Sequence, residues 1–386
     1  MVSVGLAVSC TRTRPRPRVI VVGAGAFGGW TALHLVRRGA RVTLLDGWGP
    51  GNARASSGGE TRIIRATYGP DRPYVELVAR ALALWREHEQ STARRLFYPV
   101  GMLWLVGPDD AYERAALPMV RDAGLRIDEW TVADAARRYP QMEFGGVAWV
   151  IHEPDSGYLT ARLACESVLE AFLAEGGEYR QSHVRVERAD GGVRVVTLDD
   201  GSRLAADHYV FACGSWLPTV LPEAVGDRIR PTRQEVFYFG TPAGDRRFDE
   251  DRLPVWIDNG RPLFYGIPGN RWRGFKLADD ARGPDFDPTA GDRTPSAAGI
   301  QAARAYLAKR FPALAQAPLL EARVCQYENS PDGHYIIDRV PAAPNAWIAG
   351  GGSGHGFKVG PALGEMVADL VLGDRDPPPF FRLNRL

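Results

Sequence analysis

Val19-Ile20-Val21-Val22-Gly23-Ala24-Gly25-Ala26-Phe27-Gly28 is the stretch on which the fold turns. A short β-branched run ends at a glycine, which reads as a buried strand. Helical spacing follows over Ala26–Arg38, with Leu33, Leu35 and Val36 apolar, and Gly39 stops it. Arg41–Leu45 reads as a second strand that ends at Asp46. Strand, turn, helix and strand therefore fit within about 30 residues, the size of one βαβ unit. The glycines fall as GxGxxG: Gly23 permits the tight turn, Gly25 lets the backbone approach a pyrophosphate, and Gly28 allows close helix–strand packing. Ala26 and Phe27 open the helix whose N-terminal end faces the phosphates. Asp46 stands where a carboxylate accepts from ribose hydroxyls. These residues predict a dinucleotide site, and their spacing leaves NAD and FAD both open.

Working outward, the 386 residues are too many for one compact core and predict two domains. Hydrophobic residues at 45% and charged residues at 24% are ordinary for a globular protein. A formal net charge of +1 points to neither nucleic acid nor an anionic membrane surface as partner. The four cysteines, Cys10, Cys165, Cys213 and Cys325, are widely spaced with no CxxC pair. That pattern indicates neither a metal site nor a disulfide framework, and it predicts a reducing cytoplasm. No apolar run reaches the roughly 18 residues that a membrane span needs. Met1–Ser9 is mildly apolar and Thr11–Arg18 is basic and proline-rich, the reverse of a secretory signal. Residues 1–17 read as a disordered extension.

Amphipathic spacing predicts helices over Pro73–Glu89 and Thr160–Ala174, and strands over Arg185–Arg188, Val193–Leu198 and His208–Ala212. Between about residues 223 and 290, short strands alternate with Gly and Pro, as in an antiparallel sheet. Ser296–Arg310 reads as helix, and the tail returns to strand (Ala346–Ala349), glycine-rich turn and helix (Pro361–Leu372). Nucleotide-domain-like ends enclosing β-rich insertions predict interleaved domains of an α/β protein. No internal repeat is present.

Three further segments carry chemistry. His208–Trp216, HYVFACGSW, is a strand that breaks at Gly214 and brings backbone towards a cofactor, with Trp216 close by. Cys213 within it reads as a core thiol. Gly350–Lys358, GGGSGHGFK, has five glycines in nine residues ahead of a helix. Gly352, Ser353, Gly354, His355 and Gly356 present amides at a positive helix end, suited to negative charge on a reduced flavin. Lys358 is either a solvated surface charge or the holder of a substrate carboxylate, and the glycines around it favour the second. Glu60–Arg65, ETRIIR, sets Arg62 and Arg65 three apart, either as surface cations or as carboxylate ligands. Nothing around Cys325 by itself distinguishes it from a buried thiol.

Together, GAGAFG, ETRIIRATYG, HEPDSGYL, ACGSW, RQEVFYF, FYGIP, CQYENSPDGHYIID and GSGHGFK resemble, in order and spacing, the monomeric sarcosine oxidase family, which includes N-methyltryptophan oxidase and pipecolate oxidase. The resemblance runs from about residue 18 to residue 380. It implies a Rossmann-like FAD-binding domain interleaved with a smaller α+β substrate domain on an antiparallel-rich sheet. The expected borders are 18–90, 150–222 and 322–386 for the FAD-binding domain, and 91–149 and 223–321 for the substrate domain. It implies FAD, joined covalently through Cys325, with Ser57 among the cofactor-binding residues. It also implies that Arg65 and Lys358 clamp a substrate carboxylate and that Arg62 and Lys276 lie beside the flavin ring, with Lys276 activating dioxygen. Tyr265 and Tyr327 match aromatic residues around the substrate.

Two positions depart from the family. A histidine common four residues after the lysine is Asp280 here, and one four residues before the first arginine is Gly58. Asp280 either pairs with a cationic substrate or faces Arg282 and solvent. The activity implied is oxidation of the C–N bond of a small secondary amine or N-methyl amino acid. Hydride passes to flavin N5, an imine forms, and dioxygen yields hydrogen peroxide. A monomer is the expected state. The alternatives are an oxidase or desaturase of a cyclic imino acid such as proline or pipecolate, a dehydrogenase passing electrons to a protein or quinone, and a non-catalytic dinucleotide sensor.

Overall fold

The computed structural model describes residues 16–189, 191–269 and 273–386. All but the last two residues of the expected N-terminal extension lie outside them. Arg18–Val22 runs through the middle of a six-stranded sheet ordered Ile336–Val340, Ala343–Gly350, His208–Phe211, Arg18–Val22, Arg41–Asp46, Glu178–Gln181. Every neighbouring pair is parallel except the hairpin of Ile336–Val340 with Ala343–Gly350. Val19–Val22 is buried on both faces, as the unbroken apolar run requires of a central parallel strand.

Helix Ala26–Arg37 covers one face of this sheet with helices Ala161–Ala174 and Gly360–Gly373 beside it. Its contact with the C-terminal helix is close because Gly364 lacks a side chain: a Cβ there would lie 2.6 Å from the Trp30 carbonyl carbon.

A second sheet has eight strands, ordered Leu319–Asn329, Arg230–Phe239, Phe275–Asp279, Phe264–Ile267, Val255–Asp258, Met102–Val106, Trp149–Glu153, Asp128–Trp130. Only Val255–Asp258 and Met102–Val106 pair in parallel. The expectation of short antiparallel strands beyond residue 223 describes this sheet well. The expected domain borders at 150 and 322 fall inside Trp149–Glu153 and Leu319–Asn329. One face packs on helix Ala297–Arg310 through Phe275, Leu277, Phe237 and Phe239. Strand alternation then turns Lys276, Ala278 and Tyr238 to the other face, where Tyr265 and Cys325 join them. On that face the Lys276 ammonium reaches the strand Thr61–Ile64, donating to the Thr61 oxygen, and the candidate site lies there. Helices Ala111–Asp122 and Val132–Arg138, for which no sequence signal was read, complete this half.

Candidate active site

The parallel strands Arg18–Val22, Arg41–Asp46 and His208–Phe211 all end at one cavity of about 360 Å³, the position where open α/β sheets bind ligands. Gly23 adopts φ +107°, and a Cβ there would come within 2.2 Å of the Ala212 carbonyl oxygen. At Gly28 a Cβ would lie 1.9 Å from the Gly23 oxygen. The third glycine is thus a packing requirement, while Gly25, Ala26 and Phe27 line the cavity itself. The helix starting at Ala26 has no side-chain cap from Gly25; the Ser57 hydroxyl accepts from the Ala26 amide at 3.0 Å.

Asp46 also lines the cavity. Its carboxylate accepts from the Ala24, Trp48 and Gly49 amides at 2.7, 2.8 and 2.7 Å, so it shapes the turn as well as presenting charge. Across the cavity stand Cys213, Gly214 and Trp216. The Cys213 thiol faces the Val22 oxygen, and burial pushes its pKa up, so it is a core thiol.

The glycine-rich turn divides its labour. Gly352, Gly354 and Gly356 line the cavity, whereas the Ser353 hydroxyl turns back to the Gly351 oxygen at 3.0 Å. His355 is held between the Tyr68 and Tyr335 hydroxyls, 3.1 and 2.9 Å from Nδ1, with Nε2 at 3.0 Å from the Gly333 oxygen. A carbonyl only accepts, so Nε2 carries the proton and Nδ1 accepts. Burial pushes the imidazole well below its ordinary pKa, which makes it a neutral fixture of the turn.

A second pocket, of about 70 Å³, shares Arg62, Tyr327, Gly354 and Phe357 with the first. Arg65, Lys358, Asp280 and Tyr265 line it, among Ile63, Trp104, Ile257 and Leu263. Lys358 is 4% exposed, so it is no surface charge. Its ammonium donates to the Tyr68 hydroxyl at 2.7 Å and the His355 oxygen at 2.6 Å. Burial, and then Arg65, push it well below the ordinary lysine pKa. Arg65 lies between the rings of Tyr68 and Trp104, 4.3 and 4.8 Å from their centroids, and donates to the Thr67 oxygen. Opposite this pair, Asp280 accepts from the Tyr327 hydroxyl at 2.6 Å. It is half-buried and lines the pocket; burial raises its pKa, against the pull of Tyr327, Arg65 and Lys358.

Beside the junction of the two cavities sit Arg62, Lys276 and Cys325. Arg62 donates to the Thr61 and Ser56 oxygens at 2.8 Å each, and its Nη2 is 3.9 Å from the Cys325 sulfur. Lys276 is fully buried; its Nζ donates to the Thr61 oxygen at 2.8 Å and lies 5.6 Å from the Tyr265 centroid. Burial, then Arg62, push its pKa well below the ordinary value. Neither Lys276 nor Cys325 is among the residues lining the two cavities; both stand one layer behind Arg62, Tyr265 and Tyr327. The structure adds residues that the sequence reading passed over. Tyr68 and Trp104 sandwich Arg65, and Glu328 is a buried carboxylate on the cofactor wall. Tyr68 lies within the quoted ETRIIRATYG and Glu328 within the quoted CQYENSPDGHYIID, though neither was singled out there; Trp104 carried no local signal.

The FAD dependent oxidoreductase family matches residues 18–370. The monomeric sarcosine oxidase of Streptomyces avermitilis is 32% identical over 91% of this chain and 92% of its own. The chain belongs to this family of FAD-dependent oxidoreductases, with monomeric sarcosine oxidase and N-methyltryptophan oxidase as its kin. The N-methyl-L-tryptophan oxidase of Salmonella enteritidis is 30% identical over 94% of this chain and 97% of its own. Among solved structures, L-proline dehydrogenase from P. horikoshii superposes with a TM-score of 0.82 at 21% identity, covering 95% of this chain and 96% of that one, a likeness of fold. The cavity's residues fit FAD. Gly23 and Gly25 line the cavity without side chains, Ala26 and Phe27 set the start of helix Ala26–Arg37 against it, and Asp46 lines it from the end of the second strand. The family decides for FAD where the glycine spacing left NAD open. No described helix is long and apolar enough to cross a membrane, and the described cysteines Cys165, Cys213 and Cys325 are free.

Proposed function

We propose that this flavoenzyme oxidises the C–N bond of a small amino acid bearing a secondary amine, with dioxygen as the electron acceptor. The observation that carries the reading is the substrate pocket. Two cations, Arg65 and Lys358, face one carboxylate, Asp280, across a small space that opens onto the cofactor cavity. That polarity is the complement of an amino acid, whose carboxylate and amine lie a few atoms apart.

The bound FAD supplies the two-electron acceptor. Arg65 keeps its charge at every working pH and, braced between two rings, offers its guanidinium to the substrate carboxylate. The arriving carboxylate draws Lys358 back towards its charged form, so the pair clamps the acid end and fixes the amine end. The Asp280–Tyr327 pair takes the amine's hydrogen bond and accepts its proton, which frees the nitrogen lone pair. Positioning of this kind contributes a large share of rate enhancement. Ile63, Ile257, Leu263 and Phe357 exclude water around the carbon that is oxidised.

Lys276 and Arg62 place buried positive charge near the flavin, and Lys276 holds negative charge on dioxygen as it is reduced. Cys325, beside the Arg62 guanidinium, would be the residue that holds the cofactor covalently. The enzyme acts as a cytoplasmic monomer. A pocket of about 70 Å³ suits sarcosine, N-methylalanine or a small cyclic imino acid better than an indole side chain.

The decisive experiment mixes the purified yellow protein anaerobically with sarcosine, proline and pipecolate, and with amines lacking a carboxylate. Bleaching of the flavin by carboxylate-bearing amines, with peroxide on admitting air, is expected. No bleaching by any of them sinks the reading. Acid precipitation tests the covalent bond: flavin retained in the pellet, with the FAD mass on the Cys325 peptide, is expected, and released flavin ends the Cys325 assignment. Because burial lifts the Asp280 carboxyl above the ordinary carboxylate range, the acid limb of kcat/KM should lie higher than an exposed aspartate would give. Asp280→Asn should remove that limb and lower kcat/KM about 30-fold. An unchanged profile refutes the proton role.

A further inference from the structure

Among the described residues, Glu328 is the one acidic side chain on the cofactor wall that the proposed reaction does not use and the turn at Asp46 does not need. It is 8% exposed, on strand Leu319–Asn329, one residue past Tyr327 and therefore on the opposite face of the strand. Its Oε1 accepts from the Gly352 amide at 3.1 Å. Its Oε2 has no hydrogen-bond partner. Two glycines make room for it: a Cβ on Gly352 would lie 2.8 Å from Oε1, and one on Gly214 would lie 2.8 Å from Oε2. Among the described residues no cation is paired with this carboxylate, and burial pushes its pKa up to about 7. A buried carboxylate with a bare oxygen is costly, so a donor is expected to reach it.

The surroundings narrow the donor. Gly214 lies two residues past Ala212, which packs against Gly23 of the pyrophosphate turn, while Tyr327 of the Glu328 strand borders both the cavity and the substrate pocket and so marks the ring end. Glu328 therefore faces the middle of the cavity, between pyrophosphate and ring. The pyrophosphate has no donor to give. The chain joining it to the ring carries hydroxyls. We propose that Glu328 is a cofactor ligand whose free Oε2 accepts a hydrogen bond from a ribityl hydroxyl of FAD. The inference rests on FAD as the cofactor, and not on which amine is oxidised.

The test uses the full chain as apoprotein, from riboflavin-starved cells, titrated with FAD and with ADP, which lacks the ribityl chain. Tryptophan quenching reports binding, and thermal melting reports stability. Glu328→Leu should weaken FAD about 30-fold and leave ADP unchanged. It should also raise the apoprotein Tm, because it removes an unpaired buried charge. A residue that merely packed the loop would lower both the affinity and the Tm. FAD affinity unchanged in Glu328→Leu, or equal losses for FAD and ADP, overturns the proposal. A second arm needs no variant: wild-type apoprotein should prefer FAD to an analogue whose ribityl chain lacks its hydroxyls, and equal affinity overturns the proposal. Failure of the wild-type apoprotein to bind FAD at all is a different result, and would fault the cofactor itself.

Discussion

The cofactor cavity and the substrate pocket share four residues and are built on opposite plans. The cavity is made by leaving side chains out. Gly23, Gly25, Gly352, Gly354 and Gly356 bring bare backbone to its walls, and Asp46 spends its oxygens on three amides. The pocket is made by burying side chains that ordinarily stay in water: Arg65, Lys358, Asp280 and, at the shared border, Arg62. Backbone amides need no neighbour to keep their polarity, so the first plan tolerates a long, mostly apolar cavity. Buried charges hold only against one another, so the second plan needs every partner in place.

The two plans fail differently under mutation. Gly28→Val should have the largest effect, because its Cβ has no space beside the Gly23 carbonyl. On the order of 4 kcal/mol of stability should be lost, with little soluble flavin-loaded protein recovered, as read by the ratio of absorbance at 450 and 280 nm. A normal flavin content would show that the third glycine is no packing requirement. Lys276→Met should instead leave flavin loaded and reduction by the amine intact, and slow the reaction with dioxygen about hundredfold in stopped flow. Equal slowing of both half-reactions would move Lys276 out of the oxygen step. Lys358→Ala should raise KM for an acidic substrate about 30-fold with flavin content unchanged. An unchanged KM would remove the carboxylate clamp and with it the contrast between the two regions.

The smallest effect concerns the helices behind the cavity. His34 and His88 are buried around Trp30, with ring centroids 5.9 and 4.8 Å from it. Burial, reinforced by Arg38 and Arg37 respectively, lowers both pKa values from 6.5 to about 4. The unfolded chain binds these protons first, so stability is intact above pH 6.5 and falls as pH drops through the window towards 4. The loss should be about 1–3 kcal/mol for each histidine by urea denaturation. His88→Gln should flatten the slope, and an unaltered slope would place the acid sensitivity elsewhere.

The parts of the fold that were legible in the sequence were those with local causes. The first strand, its turn and its helix lie within one apolar run and one set of glycines, and the helix at Ala297–Arg310 was read to within a residue at its start. The region from 97 to 153 was not legible. Its strands Met102–Val106 and Trp149–Glu153 pair with each other across two intervening helices, and among the described residues only Val255–Asp258 and Asp128–Trp130 complete their hydrogen bonding.

The site divides along the same line. The sequence by itself determined the dinucleotide turn, because a glycine's freedom is a property of the residue. By resemblance it also singled out the cations proposed to serve the reaction. Only the tertiary structure decided that Lys358 is buried against Tyr68, that Asp280 accepts from Tyr327, that His355 is a fixture of the turn, and that Glu328 carries a bare oxygen towards the cofactor. Whether a charge is solvated or buried depends on what distant segments bring against it. The partners here come from residues 60–68, 263–280, 325–328 and 352–358, which are far apart in the chain and meet only in the folded structure.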